Sequence, residues 1–131
     1  MAQITEDYVS YETSKLLKEK GFDAECKKYY TLKMLSNLYY GCEYVRNRDL
    51  KDEDDCIAPT IQMAMKWLRE IHHCVICITP LTFYCGEIVS AWGCNIWADD
   101  NLEVDEESTP KFITYEEACE YSIQYCLEKL I

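Results

Sequence analysis

Apolar residues in this chain switch from helical to strand spacing twice, and that alternation constrains the fold more than any other feature. Between Pro59 and His73, the residues Ile61, Ala64, Met65, Leu68 and either Ile71 or His72 recur at the helical period of about 3.6. Met63 and Trp67 widen this stripe, and Gln62, Lys66, Arg69 and His73 share the opposite side. Cys74 to Thr79 (CVICIT) follows at once, a β-branched apolar run typical of a buried strand. A helix feeding directly into such a strand excludes a pure helix bundle and a pure β-sandwich, and leaves helices packed on a sheet.

The rest of the chain fits the same scheme. A first helix is expected from about Glu6 to Lys20, with Thr5 as N-cap, Glu6 and Asp7 at the positive end of the dipole, and Gly21 as the stop. Residues 27–46 read as a β-hairpin. Tyr29, Tyr30, Thr31, Leu32, Met34 and Leu35 suit one strand, Leu38, Tyr39, Tyr40, Tyr44 and Val45 the next, and Ser36-Asn37 the turn. Residues 46–57 (RNRDLKDEDDCI) form a charged loop, and Pro59 opens the second helix. Pro80-Leu81-Thr82 breaks the CVICIT strand. Its partner runs from Phe83 to Trp92 and irregularly on to Trp97, with Gly86 and Gly93 marking a bulge or bend. Ala98 to Pro110 reads as an acidic loop. The last helix spans Tyr115 to about Leu130, opened by a Thr114–Glu117 capping box. Cys119, Ile123, Cys126 and Leu130 form its inner face, and Glu116, Glu117, Glu120, Gln124 and Glu128 its outer one. The expected fold is α+β in α-β-β-α-β-β-α order, with about four antiparallel strands against about three helices, in a single domain over residues 1–131.

Charge and cysteine content narrow the function. With 24 acidic and 13 basic residues the net charge is −11. The chain lacks the basic footprint that neutralises phosphates, so direct nucleic-acid binding is not expected. The acid excess is uneven: residues 58–131 hold 12 acidic and four basic groups, against 12 and nine in residues 1–57. Nine cysteines, an odd number, cannot all pair within the chain. MAQITEDYVSYE carries no secretory signal, and no apolar run approaches the ~20 residues that span a bilayer. The cysteines are therefore expected to be reduced, mostly buried thiols of a cytoplasmic protein without membrane contact.

No constellation in the sequence specifies a reaction. His72-His73-Cys74-Val75-Ile76-Cys77, with Cys85 and Cys94 downstream, resembles a zinc set. In a strand, however, Cys74 and Cys77 point to opposite faces, and Val75-Ile76 makes no knuckle turn. The same pair lacks the helix N-terminus on which thioredoxin-type cysteines depend. A Cys–His nucleophile pair needs a base in reach and a third, orienting group, and no such set is present. Counted from Asp99, an EF-hand loop would need glycine at Val104 and glutamate at Pro110. Phosphate-binding glycine patterns and the G-x-S-x-G elbow are missing too. No catalytic residue, metal ligand or cofactor is assigned.

Two surfaces remain as candidates. Tyr29, Tyr30, Tyr39, Tyr40 and Tyr44 crowd one hairpin, and tyrosine favours protein interfaces because it offers broad contact and a polar tip. Glu116, Glu117, Glu120 and Glu128 charge the last helix, where carboxylates four apart are separated by about 6 Å of rise, close to phosphate spacing along a nucleic-acid strand. The segments ETSKLLKEKGF (12–22), APTIQMAMKWLREIHH (58–73) and TYEEACEYSIQYCLEKLI (114–131) together resemble a group of small, uncharacterised proteins encoded by prophages and mobile elements of gut Bacteroidales. The resemblance covers the three helices. It implies a phage or mobile-element origin in a bacterial host cell and no particular activity. The resulting expectation is a non-enzymatic accessory protein that binds a protein partner or itself. The alternatives are an acidic DNA-mimic inhibitor of a basic host or defence protein, and a thiol- or metal-dependent hydrolase using His72, His73 and nearby cysteines.

Overall fold

A computed structural model describes residues 4–31, 38–84 and 87–131, with side chains described outside 38–43, 82–84 and 87–90. The elements are α1 (Tyr11–Glu19), β1 (Cys26–Tyr30), β2 (Leu38–Val45), β3 (Cys56–Ile57), α2 (Ile61–Ile71), β4 (Cys74–Tyr84), β5 (Glu87–Ala98), β6 (Asn101–Val104) and α3 (Tyr115–Tyr125). The fold is α+β, with three α-helices and two three-stranded antiparallel sheets, ordered β2-β1-β3 and β4-β5-β6. The four expected strands correspond to β1, β2, β4 and β5; β3 and β6 are additional. The chain divides into two compact units, Met1–Ala64 and Met65–Ile131, with the division inside α2. No helix among the described residues is long and apolar enough to cross a membrane.

In the first unit, α1 starts five residues later than expected. Residues 7–9 are extended instead: Tyr8 bridges Thr60, Val9 N donates to Pro59 O at 3.1 Å, and Ile61 N donates to Asp7 O at 2.9 Å. Ser10, not Thr5, is the N-cap, its side chain accepting from Thr13 N. Gly21 does end the helix. Its φ of 92° lets Gly21 N reach Lys18 O and Phe22 N reach Leu17 O, closing the carbonyls of the last turn. β1 pairs antiparallel with β2 as the hairpin reading requires, Tyr29 opposite Tyr39 and Tyr30 opposite Leu38. The expected turn at Ser36-Asn37 and the strand residues Leu32, Met34 and Leu35 lie outside the described residues.

The 46–57 segment is more than a loop. Asn47, in a short 3-10 turn, is buried; its Nδ2 donates to Phe22 O at 2.6 Å and its Oδ1 accepts from Ile57 N at 2.9 Å. That bridge holds Cys56 and Ile57 against Tyr30 and Tyr29 as strand β3. Pro59 lies one residue before the N-cap of α2, because Thr60 Oγ1 accepts from Met63 N at 3.1 Å. The α2 stripe is buried at Ile61, Ala64 and Leu68, but Ile71 is 60% exposed.

In the second unit, β4 passes straight through Pro80, which pairs with Trp92. Proline lacks a ladder donor, and β4 is an edge strand, so the missing N–H breaks no pairing there. The irregularity falls later, between Leu81 and Phe83. Gly93 is a close approach rather than a bend: a Cβ there would stand 3.1 Å from both Leu81 Cδ1 and Glu106 Cβ. Gly86 lies outside the described residues. The acidic segment 98–110 contains a third strand. Asp99 and Asp100, with φ of 49° and 69°, form a two-residue turn, and β6 folds back along β5. α3 packs on β4 and β5 with Ala118, Cys119, Ser122 and Ile123 fully buried, and a π-turn at Cys126–Leu130 buries Cys126 and Leu127.

Candidate functional site

The tyrosine-bearing surface is built around an irregular stretch of the first sheet. Two steps along β1, from Cys26 to Lys28, match five along β2, from Val45 to Tyr40. Surplus chain in one strand leaves the regular ladder and turns its side chains aside. Tyr44 lies in that stretch and is 63% exposed. The Lys27 ammonium stands 4.9 Å from the Tyr44 ring centroid, and the Lys28 ammonium 4.0 Å from that of Tyr8. Both are within the roughly 6 Å reach of a cation–π attraction. Tyr8 is carried there by its bridge to Thr60. These four side chains, with Glu6, Glu25 and Met63 among the others, line a pocket of about 280 Å³.

The other tyrosines play different parts. Tyr30 donates from its hydroxyl to Val9 O at 2.7 Å and meets Tyr11 edge-on with ring centroids 5.6 Å apart. Tyr11 in turn donates to Asp54 O at 3.2 Å. Tyr30 therefore ties β1 to the extended segment ahead of α1. Tyr29 is half-buried in mid-strand. Tyr39 and Tyr40 stand opposite Tyr29 and Lys28 in the register, and their side chains lie outside the described residues. Sequence reasoning missed Tyr8, Lys27 and Lys28. The signal available was the Lys27-Lys28 pair directly preceding Tyr29-Tyr30 in an otherwise acidic chain.

The glutamates of α3 divide as well. Thr114 accepts from Glu117 N at 3.1 Å as predicted, but Glu117 Oε2 accepts from Ile113 N at 3.3 Å, one residue before the N-cap whose N–H a regular capping box would satisfy. Glu117 is thus part of the helix start. Glu116 and Glu128 are exposed, and Glu120 is half-buried.

Most of the described thiols are buried, whereas Cys77 and His73 are exposed. Cys74 is buried and Cys77 exposed, the opposite facing that a strand imposes. The Cys74 thiol donates to the main-chain oxygen of His72 at 3.6 Å, while the His72 ring lies edge-on to Trp67, centroids 4.6 Å apart. Burial pushes the thiols of Cys26 and Cys56 up to about 11 and raises those of Cys74 and Cys126 as well. A raised thiol is protonated at neutral pH and a poor nucleophile. Among the described residues, no group of three or more His, Cys, Asp or Glu side chains is placed to hold a metal ion.

No protein-family model matches the chain, and neither does any curated protein or solved structure.

Proposed function

We propose that this chain is a non-enzymatic accessory protein of a phage or mobile element, acting in the cytoplasm of a bacterial host by binding another protein or a second copy of itself. The observation that carries the reading is the exposed Tyr44 ring, backed by Lys27 and set beside the Tyr8–Lys28 pair on the rim of one pocket. Aromatic rings with flanking cations are what protein interfaces enrich. The buried, protonated thiols of Cys26 and Cys56, and the donation of the Cys74 thiol to a main-chain oxygen, add support against a thiol hydrolase.

The test is an affinity capture from host lysate with immobilised protein, run beside Tyr44→Ala and Tyr30→Phe baits, with sedimentation of the pure protein to score self-association. A partner, or a dimer, that is lost with Tyr44→Ala and kept with Tyr30→Phe supports the reading. Equal retention by all three baits removes this surface from it.

A second reading, the DNA mimic, is favoured by a different observation. Asp99, Asp100, Glu103, Asp105, Glu107, Glu116, Glu117 and Glu128 are all exposed, and none has an ion-pair partner among the described residues. A basic partner captured through them would be released as salt rises, and by the joint charge reversals Glu116→Lys and Glu128→Lys, which spare the helix-start bonds of Glu117.

A further inference from the structure

Three residues other than glycine hold a positive φ among the described residues: His73 at 56°, Asp99 at 49° and Asp100 at 69°. All three line one pocket, together with Arg69, Val75 and Trp97. A side chain with a Cβ holds this conformation at a cost, which Asp and His bear more easily than most. The hairpin register defines the floor. Val75 pairs with Trp97, Cys74 with Ala98, and Asp99 N donates to His73 O at 3.2 Å. Alternation then puts positions 75 and 97 on one face, opposite the buried Cys74. Arg69 enters from the last turn of α2, four residues before His73.

The pocket is about 670 Å³, inside the ~300–1,000 Å³ range of small-molecule sites. Its lining is bipolar. A guanidinium and an imidazole come from the end of α2, two carboxylates from the β5–β6 turn, and an indole and a valine from between. None of the side chains of Arg69, His73, Asp99 and Asp100 has a hydrogen-bond or ion-pair partner among the described residues. A simple anion entering here would face two carboxylates, and a simple cation a guanidinium. A ligand bearing both charges satisfies both sets. Guanidinium groups grip carboxylates bidentately, carboxylates accept from ammonium, and indole takes a ring against its face.

We infer that this pocket binds a small zwitterion, an aromatic α-amino acid, with its carboxylate on Arg69, its ammonium on Asp99 and Asp100, and its ring on Trp97. The site uses none of the residues around Tyr44, so it stands or falls independently of protein binding at that surface.

Isothermal titration of the full chain with L-phenylalanine tests it, beside phenethylamine, which lacks the carboxylate, and hydrocinnamate, which lacks the ammonium. Phenylalanine should bind saturably, and each analogue roughly tenfold or more weakly. Arg69→Gln should weaken phenylalanine and hydrocinnamate while phenethylamine, no longer facing the guanidinium, binds no more weakly. Asp100→Asn should weaken phenylalanine and phenethylamine while hydrocinnamate, facing one carboxylate fewer, binds no more weakly; asparagine also tolerates positive φ, and an unaltered circular dichroism spectrum checks that the turn is kept. Absence of saturable phenylalanine binding overturns the proposal. So does a folded variant of either kind that binds phenylalanine as the parent does.

Discussion

The sheet β2-β1-β3 and the sheet β4-β5-β6 reach stability by different routes. In the first, β1 has five residues and β3 two, so few ladder bonds form. Side chains supply the rest by reaching main-chain groups: Asn47 to Phe22 and Ile57, Lys18 to the oxygens of Glu53 and Asp55, Tyr30 to Val9, and Arg46 to Asp23. In the second, β4 and β5 run 11 and 12 residues in one long ladder, and α3 lays Ala118, Cys119 and Ile123 over it at full burial. Buried main-chain groups have to be satisfied in either case. Where the ladder is long, the backbone does this itself and apolar burial carries the stability. Where it is short, a few polar side chains become structural.

The largest effect should come from the second region. Ile123→Ala empties a fully buried site and should cost roughly 2–5 kcal/mol in urea unfolding, with an unchanged denaturant slope. Asn47→Ala should cost roughly 2–3 kcal/mol despite removing little apolar volume, because it strands both Phe22 O and Ile57 N. The readouts separate the two. Amide exchange at Ile57 should accelerate in Asn47→Ala while the β4–β5 amides keep their protection. If Asn47→Ala costs no more than an ordinary surface change, the contrast between the regions collapses.

Alkaline pH probes the first region next. Cys26 and Cys56 both have thiols raised from 9.0 to about 11, with burial the leading cause. The folded state then holds protons that the unfolded chain releases, so stability is intact below about pH 9 and falls as pH rises through about 11. Cys26→Ala should flatten part of that fall in a series of urea midpoints. At neutral pH, thiol labelling of the native protein should modify Cys77 quickly, whereas Cys26, Cys56, Cys74, Cys94, Cys119 and Cys126 wait for unfolding.

Much of the second region was legible in the sequence because its signals are local and periodic. The burial of Cys119, Ile123 and Cys126 in the last helix, the Thr114 cap and the opposite facing of Cys74 and Cys77 follow from spacing alone, whereas Phe83 and Tyr84, expected to open β5, close β4 instead, and Leu127 is buried where Leu130 was expected. What escaped depends on partners distant in the chain. Strand β3 exists because Asn47 bridges Phe22 to Ile57, and nothing in DEDDCI announces that. The late start of α1 reflects the pairing of residues 7–9 with 59–61, which outweighs the capping propensity of Thr5. The β5–β6 turn uses Asp99-Asp100 in place of the Asn-Gly or Asp-Gly that would have marked it. Pro80 fits within a strand only because that strand is an edge, a property of sheet order and not of local sequence. For the candidate surface, the hairpin and its tyrosines were visible, but the arrangement of Tyr8 and Lys28 about the pocket was not.

The smallest expected effects sharpen the comparison most, because they separate two tyrosines that look equivalent in sequence. Tyr30→Phe keeps the ring against Tyr11 and removes only the hydroxyl that donates to Val9 O, so it should cost about 1 kcal/mol, the ordinary net worth of one hydrogen bond. Tyr44→Ala removes a far larger group, yet its ring is mostly in water, so stability should move by no more than about 0.5 kcal/mol. The larger truncation should thus have the smaller effect on folding and the larger effect on binding. Were Tyr44→Ala to destabilise the chain more than Tyr30→Phe, Tyr44 would belong to the structural side chains that brace the short sheet, and the case for an interaction surface there would lose its anchor.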